Sequence, residues 1–184
     1  AVSGWRSLQE QKEIYTQSLT DNGDAFTQQF VALPGHSEHQ TGLAVDLGIR
    51  KEDIDFIRPD FPYTGMCKIF RQHSIRYGFI ERYPKGKENI TGIAHEPWHF
   101  RYVGYPHAAI MMEKDFCLEE YINFLKQFRY GDAPYFWRTE NSDIAISYIA
   151  ANGNDTQFQI AEDISYSISG NNVDGYIITE WRQV

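Results

Sequence analysis

The 184 residues are 42% hydrophobic and 15% aromatic, enough to bury a core and form one domain, or one domain with a small appendage. With 25 acidic against 17 basic side chains the net charge is -8, the wrong sign for a surface that binds phosphate backbones, so nucleic acid is excluded as an expected partner. No run approaches the ~20 apolar residues of a membrane span.

The N-terminus lacks the basic and apolar regions of a signal peptide, so the expected location is cytoplasmic. The chain begins at Ala1 without an initiator Met and is read as a fragment. An upstream anchor or signal, if removed, would make the location extracytoplasmic instead.

In chain order, Ser7 followed by Glu10 reads as a capping box, Leu8, Tyr15 and Leu19 share one helical face, and Asn22-Gly23 is a stop signal, predicting a helix over about 8–21. Leu43, Val45 and Leu47 alternate with small or polar residues as a strand. Met66, Ile69, Phe70, His73 and Tyr77 predict a second helix ending at Gly78. Trp98, Phe100 and Tyr102 alternate as a second strand with its apolar side toward a core. Leu118, Tyr121, Ile122, Leu125 and Phe128 predict a third helix before Gly131. The fold class is α+β.

Composition changes near Gly131-Asp132. Residues 1–131 carry a net charge of -2, whereas residues 132–184 carry -6 with only Arg138 and Arg182 as cations. The tail contains β-prone runs at Ile144–Ile149, Thr156–Ile160, Tyr166–Ile168 and Tyr176–Thr179, parted by the turn clusters Asn152-Gly153-Asn154 and Gly170-Asn171-Asn172. The expected organisation is a domain over 1–131 and a β-rich appendage of small antiparallel sheet over 132–184. Cys67 and Cys117 stand outside any metal-ligand spacing and are expected to be reduced core residues.

Chemistry-bearing residues concentrate in Pro34-Gly-His-Ser-Glu-His-Gln-Thr-Gly-Leu-Ala-Val-Asp46 and in Glu96-Pro97-Trp98-His99. His39, Asp46 and His99 can supply three zinc ligands, leaving a fourth position for water whose pKa falls toward ~7, and Glu96 can serve as the base. The alternative for a His and Asp on strands is a pair of satisfied structural residues. His36 is expected to point away from a metal shared with His39. His73 and His95 read as packing or surface residues, and His107 follows Pro106 at a helix start.

Ser37-Glu-His39-Gln-Thr-Gly42-Leu-Ala-Val-Asp46 and Glu96-Pro-Trp-His99 resemble the S-x-H-x-x-G-x-x-x-D and E-x-W-H signatures of the zinc D-Ala-D-Ala peptidases, the VanX/VanY group. Gly4-Trp5-Arg6-Ser7 with Gln11 resembles their G-Y-R-S-x-x-x-Q element, with Trp5 in place of the usual Tyr. Further likeness to the bifunctional VanXY type extends the resemblance over roughly residues 3–130. It implies a D-Ala-D-Ala peptidase or hedgehog-like core that lacks, at its N-terminus, a helix usual in the family. It also implies Zn2+ on His39, Asp46 and His99, Glu96 as base, Arg6 stabilising the oxyanion, and Ser37 and Gln11 bonding the substrate. That substrate would be D-Ala-D-Ala, free or at the end of a peptidoglycan precursor, as in vancomycin resistance. An L,D-carboxypeptidase on the same scaffold is the enzymatic alternative, and a non-catalytic peptidoglycan-binding protein is the alternative of another class.

Overall fold

A computed structural model describes residues 1–139, 142–153 and 155–182. They divide into two compact units, Ala1–Cys117 and Leu118–Val184. The expected boundary at Gly131 therefore falls inside the second unit, which takes the third predicted helix with it. Among the described residues no helix is long and apolar enough to cross a membrane.

In the first unit, Ser7 caps α1 (Leu8–Asn22) through the expected reciprocal bonds with Glu10, and the backbone N–H of Gly23 closes the helix end. Its most deeply buried positions are polar, Gln11 and Ser18, while Leu8 is exposed. Ser18 Oγ lies 2.8 Å from Thr27 Oγ1 on α2 (Asp24–Phe30), a helix that apolar spacing does not announce. The same effect recurs in α3 (Gly65–Ser74). Met66 and Tyr77 are 77% and 73% exposed, and the inward side carries Cys67 and Ser74. Arg71, one turn from Cys67, donates to the carbonyls of Phe61, Pro62 and Pro97. Apolar periodicity alone misses the most deeply buried positions of both helices, because hydrogen-bonded polar side chains and a cysteine occupy them, although Tyr15 and Leu19 are half-buried and Phe70 packs edge-on to Phe61 and Phe100.

Three antiparallel strands form the sheet of this unit: β1 (Ala44–Asp46), β2 (Phe79–Tyr83) and β3 (Glu96–Tyr102), in the order β1-β3-β2. Beyond β1, Ser3 and Asp46 form an isolated bridge, so the N-terminal segment extends the sheet by one contact. Phe61, Cys67, Trp98 and Phe100 make the core on one sheet face, with Phe100 edge-on to both Phe61 and Phe70. Tyr102, expected to continue this apolar side, is 43% exposed. The remaining helices are the single turn α4 (Glu88–Thr91) and α5 (His107–Lys114), which starts after Pro106 as expected. Both cysteines are buried and free.

The second unit holds α6 (Leu118–Leu125) and a four-stranded antiparallel sheet of β4 (Tyr135–Thr139), β5 (Ser142–Ala150), β6 (Ser165–Gly170) and β7 (Gly175–Arg182). Its order is β4-β5-β7-β6. Three tail runs are thus strands, but Thr156–Ile160 is irregular despite its strand-like composition. In the turn cluster before it, Asn154 lies outside the described residues. The β6–β7 turn is built by Asn171, whose Oδ1 accepts from the backbone of Val173, Asp174 and Gly175. A Cβ at Gly175 would collide with the carbonyl of Ile149 on the paired strand.

Phe100, 1% exposed at the centre of the first unit's core, sets a stability test. Phe100→Ala should cost about 3–5 kcal/mol in denaturant unfolding, the range for truncating a buried aromatic. A loss below about 1 kcal/mol would mean that this cluster does not support the unit.

Candidate metal centre

The site lies on the sheet face opposite the Phe100 core and draws on four segments. The 3-10 turn Glu38–Thr41 carries His39, and Gly42, left-handed at φ +74°, ends the turn so that the chain can enter β1. β1 supplies Asp46. β3, paired with β1 so that Asp46 is opposite His99, supplies His99 and Glu96. The segment between the Ser3 bridge and α1 supplies Arg6.

Glu96 and His99 are three apart and would face opposite sides of a regular strand. Here they approach one another, and β3 is irregular against β2 between them. Glu81 pairs with Phe100, yet Tyr83 pairs with Glu96, where an unbroken register would place Trp98. The strand is irregular over this stretch, and Glu96 Oε2 lies 3.9 Å from His99 Nδ1.

His39, Asp46 and His99 are all buried, and one potential ligand atom from each falls within 4.8 Å of the others. Asp46 Oδ2 is 3.1 Å from His39 Nε2, and Oδ1 is 2.8 Å from His99 Nδ1. The other nitrogen of His39, Nδ1, is 2.7 Å from the Gly4 carbonyl. Since a carbonyl only accepts, Nδ1 is the donor to Gly4, and Nε2 is the nitrogen turned toward Asp46 and the cluster. Burial alone would raise the Asp46 pKa, but bonds to the two histidines outweigh it and hold the carboxyl below its ordinary range. For His99, burial pulls downward, and Asp46 and Glu38 overcome it, pushing the imidazole up to about 9.

For Glu96 burial wins. It drives the carboxyl up to about 8, helped by the Asp46 and Glu38 charges and only partly opposed by His99 and Arg6. A carboxyl poised near neutrality can both take and return a proton, the requirement for general acid–base work.

Arg6 is anchored on three sides. Nε donates to Ser3 Oγ (3.0 Å), one terminal nitrogen to Gln11 Oε1 (3.0 Å), and the other to Asp46 Oδ2 (3.2 Å). Two of the five guanidinium N–H groups are left for the cleft. Burial lowers the Arg6 pKa, opposed by Asp46 and Glu96, but a guanidinium remains charged.

Gln11, expected to bond substrate, borders the cleft but is fully buried with its amide in use: Nε2 donates to the Ala32 carbonyl while Oε1 holds Arg6. Ser37 also lines the cleft, and its hydroxyl does not cap the turn that it precedes. His36 is exposed, as is His73. His95 stacks on Tyr63 and accompanies Glu81, away from the His39 cluster.

Glu38 is the residue that sequence reading passed over, although it sits inside the quoted motif. It is held by Arg82 (2.8 Å) and Arg101 (3.1 Å) and approaches His99. Arg101 was the available signal, because it stands two residues from His99 on the same strand face and a buried guanidinium there demands a carboxylate.

Two imidazoles, one carboxylate and a separate carboxyl beside an open cleft form a donor set of the kind that catalytic zinc centres use, in which three protein ligands leave one position free. The chain belongs to the VanY family: the model described as "D-alanyl-D-alanine carboxypeptidase" matches residues 1–105. It is 51% identical over 127 residues to the bifunctional D-Ala-D-Ala dipeptidase and carboxypeptidase VanXYC of Enterococcus gallinarum, covering 68% of this chain and 67% of that one. The crystal structure of the vancomycin resistance D,D-dipeptidase VanXYg, in complex with a D-Ala-D-Ala phosphinate analog, superposes with a TM-score of 0.95 at 56% identity. That match covers 98% of this chain and 72% of that one. A VanY D,D-pentapeptidase from a VanB-type cassette, solved as a point mutant in complex with Zn(II), matches with a TM-score of 0.55 at 35% identity, over 66% of this chain and 69% of that one. Against two further curated carboxypeptidases the chain spans only 52% and 46% of their length.

Gln11→Ala would strand the Arg6 donor and the Ala32 carbonyl in a buried setting. A destabilisation of about 1–3 kcal/mol is expected from leaving such groups unpaired, read as a lower thermal midpoint. An unchanged midpoint would mean that Gln11 does not brace the site.

Proposed function

We infer that the chain is a zinc-dependent D,D-peptidase that hydrolyses D-Ala-D-Ala, as the free dipeptide or at the end of a peptidoglycan precursor peptide. The observation that carries this reading is the convergence of buried His39, Asp46 and His99 with Glu96 beside them on the same cleft. Family membership and the likeness to VanXYg along nearly the whole chain supply the substrate class. The non-catalytic alternative would need a missing ligand or base, and none of these positions is vacated.

His39 through Nε2, Asp46 through a carboxylate oxygen and His99 through Nδ1 would hold the metal. When bound, zinc supplies Lewis acidity toward the scissile carbonyl and lowers the pKa of a coordinated water toward ~7. Glu96, with Oε2 nearest His99, takes the proton of the attacking water and returns it to the departing amine. Arg6 directs its remaining N–H groups at the negative charge that develops on the carbonyl oxygen, and it needs no reorganisation because Ser3, Gln11 and Asp46 already fix the fork. Ser37 offers a hydroxyl to the terminal carboxylate. Gln11 acts through Arg6. Phe30, Ile93 and Trp98 give the cleft an apolar wall suited to methyl side chains.

The test is turnover of D-Ala-D-Ala and of a pentapeptide ending in D-Ala-D-Ala, with metal content measured on the same samples. Wild type should carry one zinc per chain and release D-Ala from at least one substrate. A protein that binds zinc and cleaves only an L,D-linked tetrapeptide would overturn the D,D assignment. His99→Ala should lose the metal and all turnover; retention of zinc would remove His99 from the ligand set. Glu96→Gln should keep the metal while turnover falls by about 10²–10⁴, the scale of a general base, and near-normal turnover would reassign that role.

A further inference from the structure

His39 and His99 differ in how their second ring nitrogens are satisfied. His39 Nδ1 has the Gly4 carbonyl at 2.7 Å. His99 has Nδ1 committed to Asp46 Oδ1 at 2.8 Å, which leaves Nε2 as the far nitrogen. Nε2 is buried and has no hydrogen-bond partner. The nearest acceptor is Glu38 Oε2, 3.6 Å away, and it too is buried without a hydrogen bond. Two orphaned polar atoms of complementary type thus face each other just beyond bonding distance. Leaving either unpaired costs about 1–3 kcal/mol, so a closing of under an ångström is favoured.

The rest of Glu38 is fixed. Its Oε1 receives Arg82 Nε at 2.8 Å from β2 and an Arg101 terminal nitrogen at 3.1 Å from β3. These two guanidinium groups keep the carboxylate ionised in a buried position and prevent it from turning toward solvent. Oε2 is therefore the one acceptor oxygen that Glu38 has left for His99.

We propose that Glu38 is the positioning carboxylate of the metal centre, taking the Nε2–H of His99 so that the ring presents Nδ1 to the metal beside Asp46. This rests on the zinc reading above. A ligand histidine must be neutral with its proton on the non-ligating nitrogen, and an acceptor there fixes both tautomer and ring orientation. Gly4 performs that duty for His39 with a neutral carbonyl; Glu38 performs it for His99 with a charge, and ties the ligand to β2 through Arg82.

The experiment measures zinc affinity of the full chain by competition with a chromophoric chelator, for wild type, Glu38→Gln and Arg82→Met. Glu38→Gln should bind zinc about 10–100-fold more weakly, the usual consequence of losing such a partner. Arg82→Met, which leaves Glu38 and its Arg101 contact, should lower the thermal midpoint and weaken zinc binding by less than Glu38→Gln does. A purely structural role for Glu38 would lower the midpoint in both variants and leave zinc affinity unchanged in both, which overturns the proposal. Nitrogen-15 spectra of histidine-labelled, zinc-loaded wild type give a readout that requires no variant. They should place the ring proton of His99 on Nε2 and that of His39 on Nδ1; a His99 protonated on Nδ1 overturns the proposal even if Glu38→Gln does not fold. If wild type takes up no zinc, the metal reading itself falls, whereas firm zinc binding that Glu38→Gln leaves untouched overturns only the role of Glu38.

Discussion

The structure of the first unit turns on one buried carboxylate. Asp46 is 4% exposed and is shared by His39, His99 and Arg6, each within 3.2 Å. An unpaired charge at that depth would cost several kcal/mol, so all three partners must arrive together. Its backbone is equally committed: Asp46 N–H donates to the Ser3 carbonyl, and its own carbonyl receives the N–H of Val2. Because strand side chains alternate, a one-residue slip of β1 would point Asp46 into the Phe100 core and Val45 into the cleft. Sheet register and site chemistry are therefore a single constraint.

Around this point the protein spends polar groups where a stability-optimised fold would place apolar ones. α1 turns Gln11 and Ser18 inward, Glu38 lies between Arg82 and Arg101, and Arg71 binds four backbone carbonyls at α3. Gln11, Ser18 and Arg71 are satisfied by named partners and Glu38 is held through Oε1, so the cost of burial is offset by direction: Gln11 sets Arg6. Preorganisation of this kind places donors and proton carriers before substrate arrives.

Much of this was legible in the sequence where local chemistry decides the outcome. Ser7 with Glu10, and the Gly residues at 23, 42 and 78, mark element ends by side-chain bonding and by positive φ, which no distant residue need supply. The two ligand clusters were legible because their residue types are scarce and their order resembled a known family. The buried polar residues of α1 and α3 were not, since apolar counting cannot see a glutamine or arginine whose hydrogen bonds come from loops far along the chain. Glu38 was hidden for a similar reason: beside His39 it looks like an ordinary turn acid, and its partners are 44 and 63 residues away. The strand propensity of Thr156–Ile160 failed in the opposite sense, because residue composition does not by itself secure a pairing partner.

The claim that Asp46 organises a three-ligand centre is tested most directly by anomalous diffraction recorded above and below the zinc absorption edge on crystals of the zinc-loaded chain. The account predicts one strong peak, bonded to His39 Nε2, an Asp46 carboxylate oxygen and His99 Nδ1, with Glu96 and Glu38 outside bonding distance. A peak ligated by Glu96 or Glu38, or the absence of any peak between the two histidines, would contradict it.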